Sequence, residues 1–443
     1  MPRTRDWRPA ASEQALELVQ VSASLGSSRQ AEDVVGLLDI GNSKTVCVIV
    51  ATPGARRGPA LAGVRVLGIG VQPSRGMKGG LVVELDEAEQ AVRAAVDQAE
   101  RAAGVRVEEV FLSVACGRLK SVTFTAKTEI EGRVVGNADI ERLMAAARTH
   151  VERDGRALLH MNCLTYRLDG AAGVGAPLGM AGKTLGADLH AVTADEAPLR
   201  NLLHVLERAY LSAAGLAPAP CASSLAATTE EERQLGVVVI DIGAGTTSLA
   251  AFARGHLLWN EVVPVGGNHA TFDIAQALSV SAYEAERIKK QYGSLARVVG
   301  DDGEAIAHAH AGGEAQAPPR TTKGEVREIV RGRMWRLFGH VAGRIDRSGV
   351  ARYVMQRMVL TGGGSQLAGL GEFAADFFAR PVRIAQIAPL EGMPAGFASP
   401  AYSTSVGLIH VALDPGIGAR WDRSDMESGG YLKRMGQWLR EGV

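Results

Sequence analysis

The sequence predicts an α/β fold in which two similar lobes face each other and a small α+β domain is inserted. Residues 34–50, VVGLLDIGNSKTVCVIV, have the pattern of an apolar strand, a tight glycine turn and a second strand. Residues 236–252, GVVVIDIGAGTTSLAAF, repeat that pattern, and an internal repeat indicates two related halves. Between them, residues 85–163 alternate between helix-like and strand-like segments, as in a small compact domain.

Length and composition are those of a globular protein. The chain has 443 residues, 46% hydrophobic and 22% charged, so several domain-sized units with a large core are expected. The formal net charge of +0 gives no overall attraction to nucleic acid, and no nucleic-acid partner is expected. The four cysteines form no CxxC pair, which argues against a zinc ribbon or a redox motif. No apolar run approaches the roughly 20 residues of a membrane span.

The two glycine turns are candidate phosphate-binding sites. Each follows an apolar strand that ends in Asp-Ile-Gly, and glycine lets backbone N–H groups approach a phosphate closely. Two such turns facing each other can hold the β- and γ-phosphates of a nucleotide from both sides. We expect Asp39 and Asp241 to hold waters around Mg²⁺, which prefers a hydrated site with few carboxylates. The predicted contacts are Asp39, Gly41, Asn42, Ser43, Lys44, Asp241, Gly243, Ala244, Gly245, Thr246 and Thr247.

Three later segments complete the predicted nucleotide site. A helix begins near Gly266, Gly267 and Asn268, and a helix N-terminus is a natural anion site. Glu286 and Lys289 lie three residues apart on one helix face, where they can contact the adenosine; a surface ion pair is the alternative. A strand ending at Thr361 leads into a glycine turn that can approach a ligand closely, formed by Gly362, Gly363, Gly364 and Ser365.

Two other phosphate motifs are not supported. Gly182-Lys183-Thr184 is similar to the end of a P-loop, but Pro177 stands where the first glycine is required. No GxGxxG follows a strand, so a dinucleotide-binding fold is not predicted.

The order of these motifs resembles that of the actin, heat-shock chaperone and sugar-kinase ATPase superfamily. Within it, the chain resembles the FtsA family of bacterial cell division proteins from about Val34 to the C-terminus. Residues 74–100, SRGMKGGLVVELDEAEQAVRAAVDQAE, are similar to the segment with which FtsA leads into its small extra domain, called 1C. Residues 402–413, YSTSVGLIHVAL, are similar to the closing segment of that family. The resemblance implies an actin-like two-lobed ATPase fold in which 1C replaces actin subdomain 1B.

The resemblance also implies the biology of the family. It implies ATP and Mg²⁺ as ligands, self-assembly into filaments, and binding of the FtsZ C-terminal peptide through subdomain 2B. It further implies recruitment of later division proteins and a peripheral location on the cytoplasmic face of the inner membrane at the division site. Ala244 departs from the glycine that many relatives have, though the turn is still permitted. No residue stands out as the base that activates water, so at most slow ATP hydrolysis is expected.

The predicted boundaries combine the pattern of elements with this resemblance. Residues 1–33 are expected to be a disordered extension, followed by the first part of subdomain 1A. The remaining assignments are 34–84 to 1A, 85–163 to 1C, 164–235 to 1A, 236–275 to 2A, 276–344 to 2B, 345–400 to 2A, 401–414 to a closing 1A segment, 415–429 to a linker and 430–443 to an amphipathic helix.

A basic helical segment is the candidate for binding the FtsZ peptide. Residues 324–341, GEVREIVRGRMWRLFGHV, place several arginines among apolar side chains. The family resemblance implies that this segment borders the peptide site, with Arg333 and Arg336 as the candidate contacts. A solvated basic helix face is the alternative.

The C-terminal residues 430–443 form a predicted membrane-targeting helix. At 100° per residue, five apolar side chains fall within an arc of about 120°. Basic residues beside a Trp/Leu/Met face suit an anionic membrane surface, and FtsA has such a helix at this place. A helix packed on the protein's own body is the alternative. The predicted membrane contacts are Tyr431, Leu432, Met435, Trp438 and Leu439, with Lys433, Arg434 and Arg440 beside them.

Three other functions share parts of this pattern. A PilM-like protein of a pilus system has the same core and the small insert, but the terminal amphipathic helix argues against it. A metabolic kinase of the superfamily has no need of a membrane helix. A chaperone ATPase has a substrate-binding domain after the nucleotide core, and no such domain follows here.

Overall fold

The computed structural model describes residues 33–413 except 54–60, 131, 153–154, 297–299, 301, 309–319 and 355–356. The predicted N-terminal extension, apart from Asp33, lies outside the described residues. The linker at 415–429 and the helix at 430–443 also lie outside them, so what was predicted for these segments stays a prediction.

The described elements follow one another as two lobes with an insert in the first. The first lobe begins with β1 (Asp33–Ile40), β2 (Lys44–Thr52), β3 (Arg65–Pro73), β4 (Met77–Lys78), β5 (Leu81–Val82), α1 (Leu85–Ala103) and β6 (Glu109–Val114). The insert contains β7 (Lys120–Glu129), α2 (Asn137–Val151), β8 (Arg156–Leu168), β9 (Ala171–Val174) and β10 (Thr184–Asp195). The first lobe resumes with α3 (Glu196–Arg208), β11 (Ser212–Pro218), α4 (Ala219–Ala227) and α5 (Glu230–Leu235).

The second lobe and a closing helix complete the described chain. The second lobe contains β12 (Val237–Ile242), β13 (Thr247–Ala253), β14 (His256–Val263), α6 (Gly267–Leu278), α7 (Ala282–Tyr292), β15 (Ala305–Ala307), β16 (Arg320–Thr322), α8 (Lys323–Ser348), β17 (Arg357–Thr361), α9 (Leu370–Phe378) and β18 (Val382–Ile384). The closing helix is α10 (Ser403–Leu413).

The two main sheets have the same topology, as the sequence repeat predicts. The first has the order β11-β6-β1-β2-β3 and the second β18-β17-β12-β13-β14. In each sheet the first three strands in the chain form an antiparallel meander. The fourth strand pairs in parallel with the first, and the fifth pairs in parallel with the fourth. The register also repeats, because Asp39 is paired with Val46 and Asp241 with Ser248. Each aspartate therefore occupies the same position beside its turn.

Small residues allow α1 to lie close against the first sheet. The buried face of α1 consists mainly of alanines, and β3 presents two glycines to it. A Cβ added at Gly70 would lie 1.8 Å from the carbonyl oxygen of Ala95, and one at Gly68 would lie 2.2 Å from that of Ala99. The helix backbone therefore packs directly on the strand, and α1 belongs to the first lobe.

The insert comprises 120–195, and not the predicted 85–163. Helix α1 packs on β2 and β3, and β6 pairs in parallel with β1, so both belong to the first lobe. The small sheet instead has the order β7-β10-β8-β9, with α2 packed on it through Leu143 and Ala147. Local patterns do not show which sheet a strand joins, because pairing with distant partners decides it.

The second lobe is built around the long helix α8. Its first turn has a capping box, in which Thr322 accepts a hydrogen bond from the Glu325 N–H at 3.2 Å and the Glu325 carboxylate accepts one from the Thr322 N–H at 2.9 Å. One face is then buried at intervals of three and four residues, as in a helix with one side packed against the core. That face consists of Val326, Val330, Met334, Leu337, Phe338, Val341 and Ile345.

An apolar cluster between the lobes positions the site. It combines residues of both central strands, β1 and β12, with α4 and α10. These two helices pack so closely that a Cβ at Gly407 would lie 1.7 Å from the carbonyl oxygen of Ala222. The start of α10 is thereby fixed beside the ends of β1 and β12. Among the described helices, none combines the length and apolar character that crossing a membrane requires.

Candidate functional site

The two glycine turns have the same backbone geometry. The Gly41 N–H donates to the carbonyl of Lys44 at 3.0 Å, and the Gly243 N–H donates to that of Thr246 at 2.9 Å. A Cβ at either glycine would lie 3.0 Å from the carbonyl three residues later. That distance is tighter than ordinary contacts, so both tight turns favour glycine at this position.

The turns face each other across a cavity of about 610 Å³. Their closest approach is between Gly245 and Asn42, where a Cβ on the glycine would lie 2.3 Å from Asn42 Nδ2. The Asn42 side chain is held in place because its Oδ1 accepts a hydrogen bond from the Gly80 N–H at 2.9 Å. One turn from each lobe thus forms each side of a single cleft, as the sequence predicts.

Backbone donors line this cleft. Within the described part of the chain, no backbone or side-chain acceptor is hydrogen-bonded to the N–H groups of Asn42, Ser43, Ala244 or Gly245. All four residues line the cavity. Successive N–H groups in a turn form a concave site that attracts anions, so this end of the cavity can hold phosphate oxygens.

Two carboxylates and one ammonium group lie at the same end of the cavity. Removal from water raises the pKa of the Asp39 carboxyl, whereas hydrogen bonds from Ser113 and Ser405 and the charge of Lys44 lower it. Removal from water likewise raises the pKa of Asp241 to about 6, and the negative charge of Asp39 adds to that increase. Burial lowers the pKa of Lys44, while both carboxylates raise it. Two desolvated carboxylates facing one cation favour a further positive charge, which fits hydrated Mg²⁺.

Most of the predicted nucleotide contacts line this cavity together. They come from both turns, from the start of α6, from α7 and from the turn after β17. They are Asp39, Gly41, Asn42, Ser43, Lys44, Asp241, Gly243, Ala244, Gly245, Thr246, Gly267, Asn268, Glu286, Lys289, Gly362, Gly363 and Gly364.

Three predicted contacts do not line the cavity. Thr247 is fully buried, and its hydroxyl donates to the carbonyl of Val265 at 2.7 Å. The Ser365 hydroxyl is also buried and donates to the carbonyl of Gly362 at 2.7 Å. Gly266 packs against the turn at 243–246, where a Cβ would lie 2.5 Å from the Gly243 carbonyl. These residues support the turns from behind, because their polar groups are already used within the protein.

The start of α6 differs from the predicted anion site. The Gly267 and Asn268 N–H groups donate to the carbonyls of Gly243 and Ala244, both at 2.8 Å. The Gly266 N–H donates to His269 Nδ1 at 3.1 Å. Since the Gly267 and Asn268 N–H groups are bonded to the second turn and that of Gly266 to His269, α6 fixes this turn in place and does not offer these groups to a phosphate.

Glu286 and Lys289 connect α7 to α6 at the edge of the cavity. Their side chains form an ion pair of 2.6 Å, in which the lysine is 11% exposed. Lys289 also donates to the Thr271 hydroxyl at 2.8 Å and to the Gly267 carbonyl at 3.2 Å, and Thr271 donates to Glu286 at 2.6 Å. The pair is therefore part of a largely buried network and not the surface ion pair of the alternative interpretation.

The glycine turn after β17 packs directly on the second phosphate turn. Gly362 has φ +81°, and a Cβ there would lie 2.2 Å from Asp241 Oδ1. A Cβ at Gly364 would lie 2.4 Å from Ile242 Cγ2. Side chains at these positions would displace the Asp241 carboxylate or open the turn, so glycine is required for the close approach.

Sequence reasoning missed a set of hydroxyl groups around the carboxylates. Ser113 on β6 donates to Asp39 Oδ1 at 2.6 Å. Thr404 and Ser405, in the first turn of α10, donate to Asp241 and Asp39, each at 3.3 Å. The available signal was the hydroxyl-rich YSTS at the start of the closing segment, but its position beside both aspartates depends on tertiary packing.

The two arginines predicted to bind the FtsZ peptide both contact Asp273 on α6. Arg333 forms a two-point ion pair with it, with Nε at 2.7 Å from Oδ2, and its side chain is 21% exposed. Arg336 contacts the same carboxylate at 3.0 Å and is 58% exposed. Arg333 therefore connects α8 to α6, whereas Arg336 keeps most of its donors at the surface.

Comparisons with known proteins agree with this architecture. A family model described as cell division protein FtsA matches residues 238–407. The curated FtsA of Rhizobium meliloti (strain 1021) is 39% identical over 417 residues, which cover 92% of this chain and 94% of that protein. The FtsA of Escherichia coli (strain K12) is 31% identical over 422 residues, covering 92% of this chain and 97% of that protein. The chain belongs to the FtsA family of cell division proteins.

The insert also matches the family. A second model, described as the SHS2 domain inserted in FtsA, matches residues 116–193, in agreement with the small sheet at 120–195. In the solved structure of a PilM–PilN type IV pilus biogenesis complex, one chain aligns with a TM-score of 0.61 at 18% identity, covering 87% of this chain and 100% of that chain. At that identity the likeness concerns the fold alone. The predicted actin-like α/β fold with a small inserted domain is confirmed.

Proposed function

We propose that the protein is an ATP-binding adaptor of cell division. In this proposal it assembles into filaments, binds the FtsZ C-terminal peptide and attaches to anionic lipid on the cytoplasmic face of the inner membrane at the division site. It also recruits later division proteins of the membrane. Membership of the FtsA family supports this role.

The observation that carries the proposed nucleotide site is the pair of matching turns across one cavity. The free N–H groups of both turns would hold the phosphates, while Lys44 would neutralise part of their charge. Mg²⁺ would be held by Asp39 and Asp241 through water, and when bound it would balance the charge of the phosphates and of the two carboxylates. The Glu286–Lys289 network and the turn at 362–364 would border the adenosine. In this proposal ATP and Mg²⁺ therefore bind in the cavity between the two lobes.

Such a site couples nucleotide binding to the arrangement of the lobes. One turn belongs to each lobe, so a bound triphosphate would hold the two lobes at a fixed separation. No described side chain is assigned as the base that activates water, and nucleotide is proposed to act mainly as a cofactor of assembly. Hydrolysis would then be slow.

Substitution of Asp241 tests the nucleotide site. Asp241→Asn keeps the shape of the side chain but removes its charge, so we expect Mg²⁺-dependent ATP affinity to fall about tenfold or more. Asp97→Asn, on the exposed face of α1, is the matched control and should bind ATP like wild type. Calorimetric titration and thermal unfolding would be measured on all three proteins. Wild-type ATP affinity in a folded Asp241→Asn protein would refute the assignment.

The proposed FtsZ site is on α8. The exposed fraction of Arg336 supports it as a direct contact, whereas Arg333 can act through its ion pair with Asp273. A charge reversal at Arg333 would therefore break an internal contact as well as any peptide contact. Arg336 is the better residue to test, because it can change without loss of the two-point pair.

A peptide-binding assay separates the two roles. With a synthetic FtsZ C-terminal peptide, Arg336→Glu should weaken binding about tenfold if the arginine contacts the peptide. Asp273→Asn is the control, since it weakens the contact between α6 and α8 but leaves both arginine charges. Loss of binding in Asp273→Asn together with normal binding in Arg336→Glu would show that helix packing, and not arginine contact, maintains the site.

The proposed membrane attachment depends on the C-terminal residues predicted from sequence. Five apolar side chains bury only partly at an interface, and Gly436 costs about 1 kcal/mol in helix stability. One such helix would bind weakly, but a filament presents many, so avidity would make attachment firm. Assembly and membrane binding would then reinforce each other.

The alternative of a PilM-like pilus protein has less support. The curated FtsA proteins align over more than nine-tenths of the chain at 31–39% identity, whereas the PilM–PilN structure shares the fold at 18% identity.

A further inference from the structure

A short segment before and within the first turn of α10 contacts the glycine turn after β17 and side chains beside each of the two phosphate turns. The Pro400 carbonyl accepts a hydrogen bond from the Gly362 N–H at 3.0 Å. The ring of Tyr402 lies 4.4 Å from Lys44 Nζ and stacks on Phe397 at 4.2 Å between centroids. The segment therefore reaches the turn after β17 and the cation of the first phosphate turn.

The next two side chains of this segment reach the carboxylates. Thr404 Oγ1 donates to Asp241 Oδ2, and Ser405 Oγ donates to Asp39 Oδ2, both at 3.3 Å. Consecutive helical residues project about 100° apart, so Thr404 and Ser405 can reach carboxylates on two sides of the helix start. The first turn of α10 thus lies between an aspartate of one lobe and an aspartate of the other.

The helix that carries these hydroxyls cannot easily shift. Gly407 lies against the backbone of α4 with no space for a Cβ. The positive end of a helix dipole also favours negative charge at the N-terminus of α10. The two hydroxyls are therefore presented from a fixed position.

We propose that Thr404 and Ser405 are positioning residues for the divalent cation that accompanies the nucleotide: they hold one carboxylate of each lobe in the orientation that the hydrated cation needs. This inference rests on the proposed function, which it extends to two residues that the sequence analysis did not select. Neither hydroxyl acts on the nucleotide itself. Each acts through an aspartate, by donating to one carboxylate oxygen while the other lone pairs stay available to cation-bound water.

The electrostatics of the cleft agree with that role. Removal from water favours the neutral form of both aspartates, while hydrogen bonds from Thr404 and Ser405 favour the charged form. Lys44, on β2, is the cation that acts on both carboxylates. Loss of a hydroxyl would leave its aspartate without the hydrogen bond that fixes the orientation of the carboxylate.

The test measures ATP affinity of the full chain with Mg²⁺ and with EDTA. Thr404→Val and Ser405→Ala should each lower Mg²⁺-dependent affinity about tenfold, the effect of losing one hydrogen bond to a charged group. Affinity in EDTA should change less than twofold. Thr404→Ser, which keeps the hydroxyl, should restore binding.

Ser224→Ala is the matched control. This buried hydroxyl on α4 donates to the carbonyl of Pro220 at 2.6 Å, so its loss reports on packing alone. Equal losses with Mg²⁺ and with EDTA, or an equal loss in Ser224→Ala, would overturn the positioning role. If wild type binds ATP and the α10 variants match it, only this inference fails. If wild type binds no nucleotide, the proposed function fails with it.

Discussion

A single methyl group at Gly245 should separate the two phosphate turns. In Gly245→Ala the new Cβ would lie 2.3 Å from Asn42 Nδ2 and 2.6 Å from its Cγ. Ordinary contact needs about 1 Å more, so either the Asn42 side chain must move or the lobes must separate. Movement of Asn42 would break its 2.9 Å hydrogen bond with the Gly80 N–H.

The expected cost follows from these contacts. Loss of one hydrogen bond costs about 1 kcal/mol, and overpacking adds about 1–3 kcal/mol when the neighbours cannot give way. Because the overpacked contact lies at the nucleotide cleft, we expect ATP affinity to decrease by roughly tenfold to a few hundredfold. The free energy of unfolding without nucleotide should change much less, since the lobes can relax by separating.

The assay compares ATP titrations of wild type and four variants, which are Gly245→Ala, Gly175→Ala, Asn42→Gly and the double variant. Gly175→Ala is the control for the loss of glycine, because a Cβ there has no neighbour within 4 Å. Asn42→Gly combined with Gly245→Ala removes the collision, so the double variant should bind better than Gly245→Ala alone. The reasoning is refuted if Gly245→Ala binds ATP like wild type, or if the double variant shows simple addition of the two losses.

Three further predictions concern pH, the tail and helix packing. Burial lowers the pKa of His160 to about 4 and of His190 to about 3. Because both folded values lie below the unfolded value, these groups take nothing from the free energy of unfolding above about pH 6.5. Below that pH they lower it, by about 2 kcal/mol each at pH 5. Denaturant unfolding of wild type and of His160→Gln at pH 7 and pH 5 measures this as a difference between the two proteins, because the raised pKa values of Asp39 and Asp241 change stability in the opposite direction in both. Trp438→Glu should abolish sedimentation with anionic liposomes and leave ATP binding unchanged. Gly407→Ala should lower the free energy of unfolding by about 3 kcal/mol through collision with α4, whereas Gly339→Ala in open space on α8 should raise it slightly.

Each of these has a contrary outcome. An equal change in stability from pH 7 to pH 5 in wild type and His160→Gln would show that this histidine is charged or solvated in the folded protein. Equal sedimentation of wild type and Trp438→Glu would remove the tail from the membrane, and a joint loss of ATP binding would favour a helix packed on the body. A Gly407→Ala protein as stable as wild type would show that α10 can move away from α4.

The sequence by itself determined the repeated core. Apolar strands that end in Asp-Ile-Gly predict hairpins with a tight turn wherever they occur, since glycine and strand patterns act locally. The repeat then implied two lobes with matching turns, and the sheets have matching order and register. The turn residues that line the cavity could be named for the same reason.

Tertiary structure alone decided which groups face the cavity. Thr247 and Ser365 lie in the predicted motifs, yet their hydroxyls donate to backbone carbonyls, and the N–H groups at the start of α6 are taken by the second turn. The insert begins at 120 because β6 pairs with β1, a choice made by partners far away in the chain. Thr404 and Ser405 reach the two aspartates only because α10 packs on α4 between the lobes. Strand pairing and hydrogen-bond partners at long sequence separation are properties of the packed chain, so no local pattern encodes them.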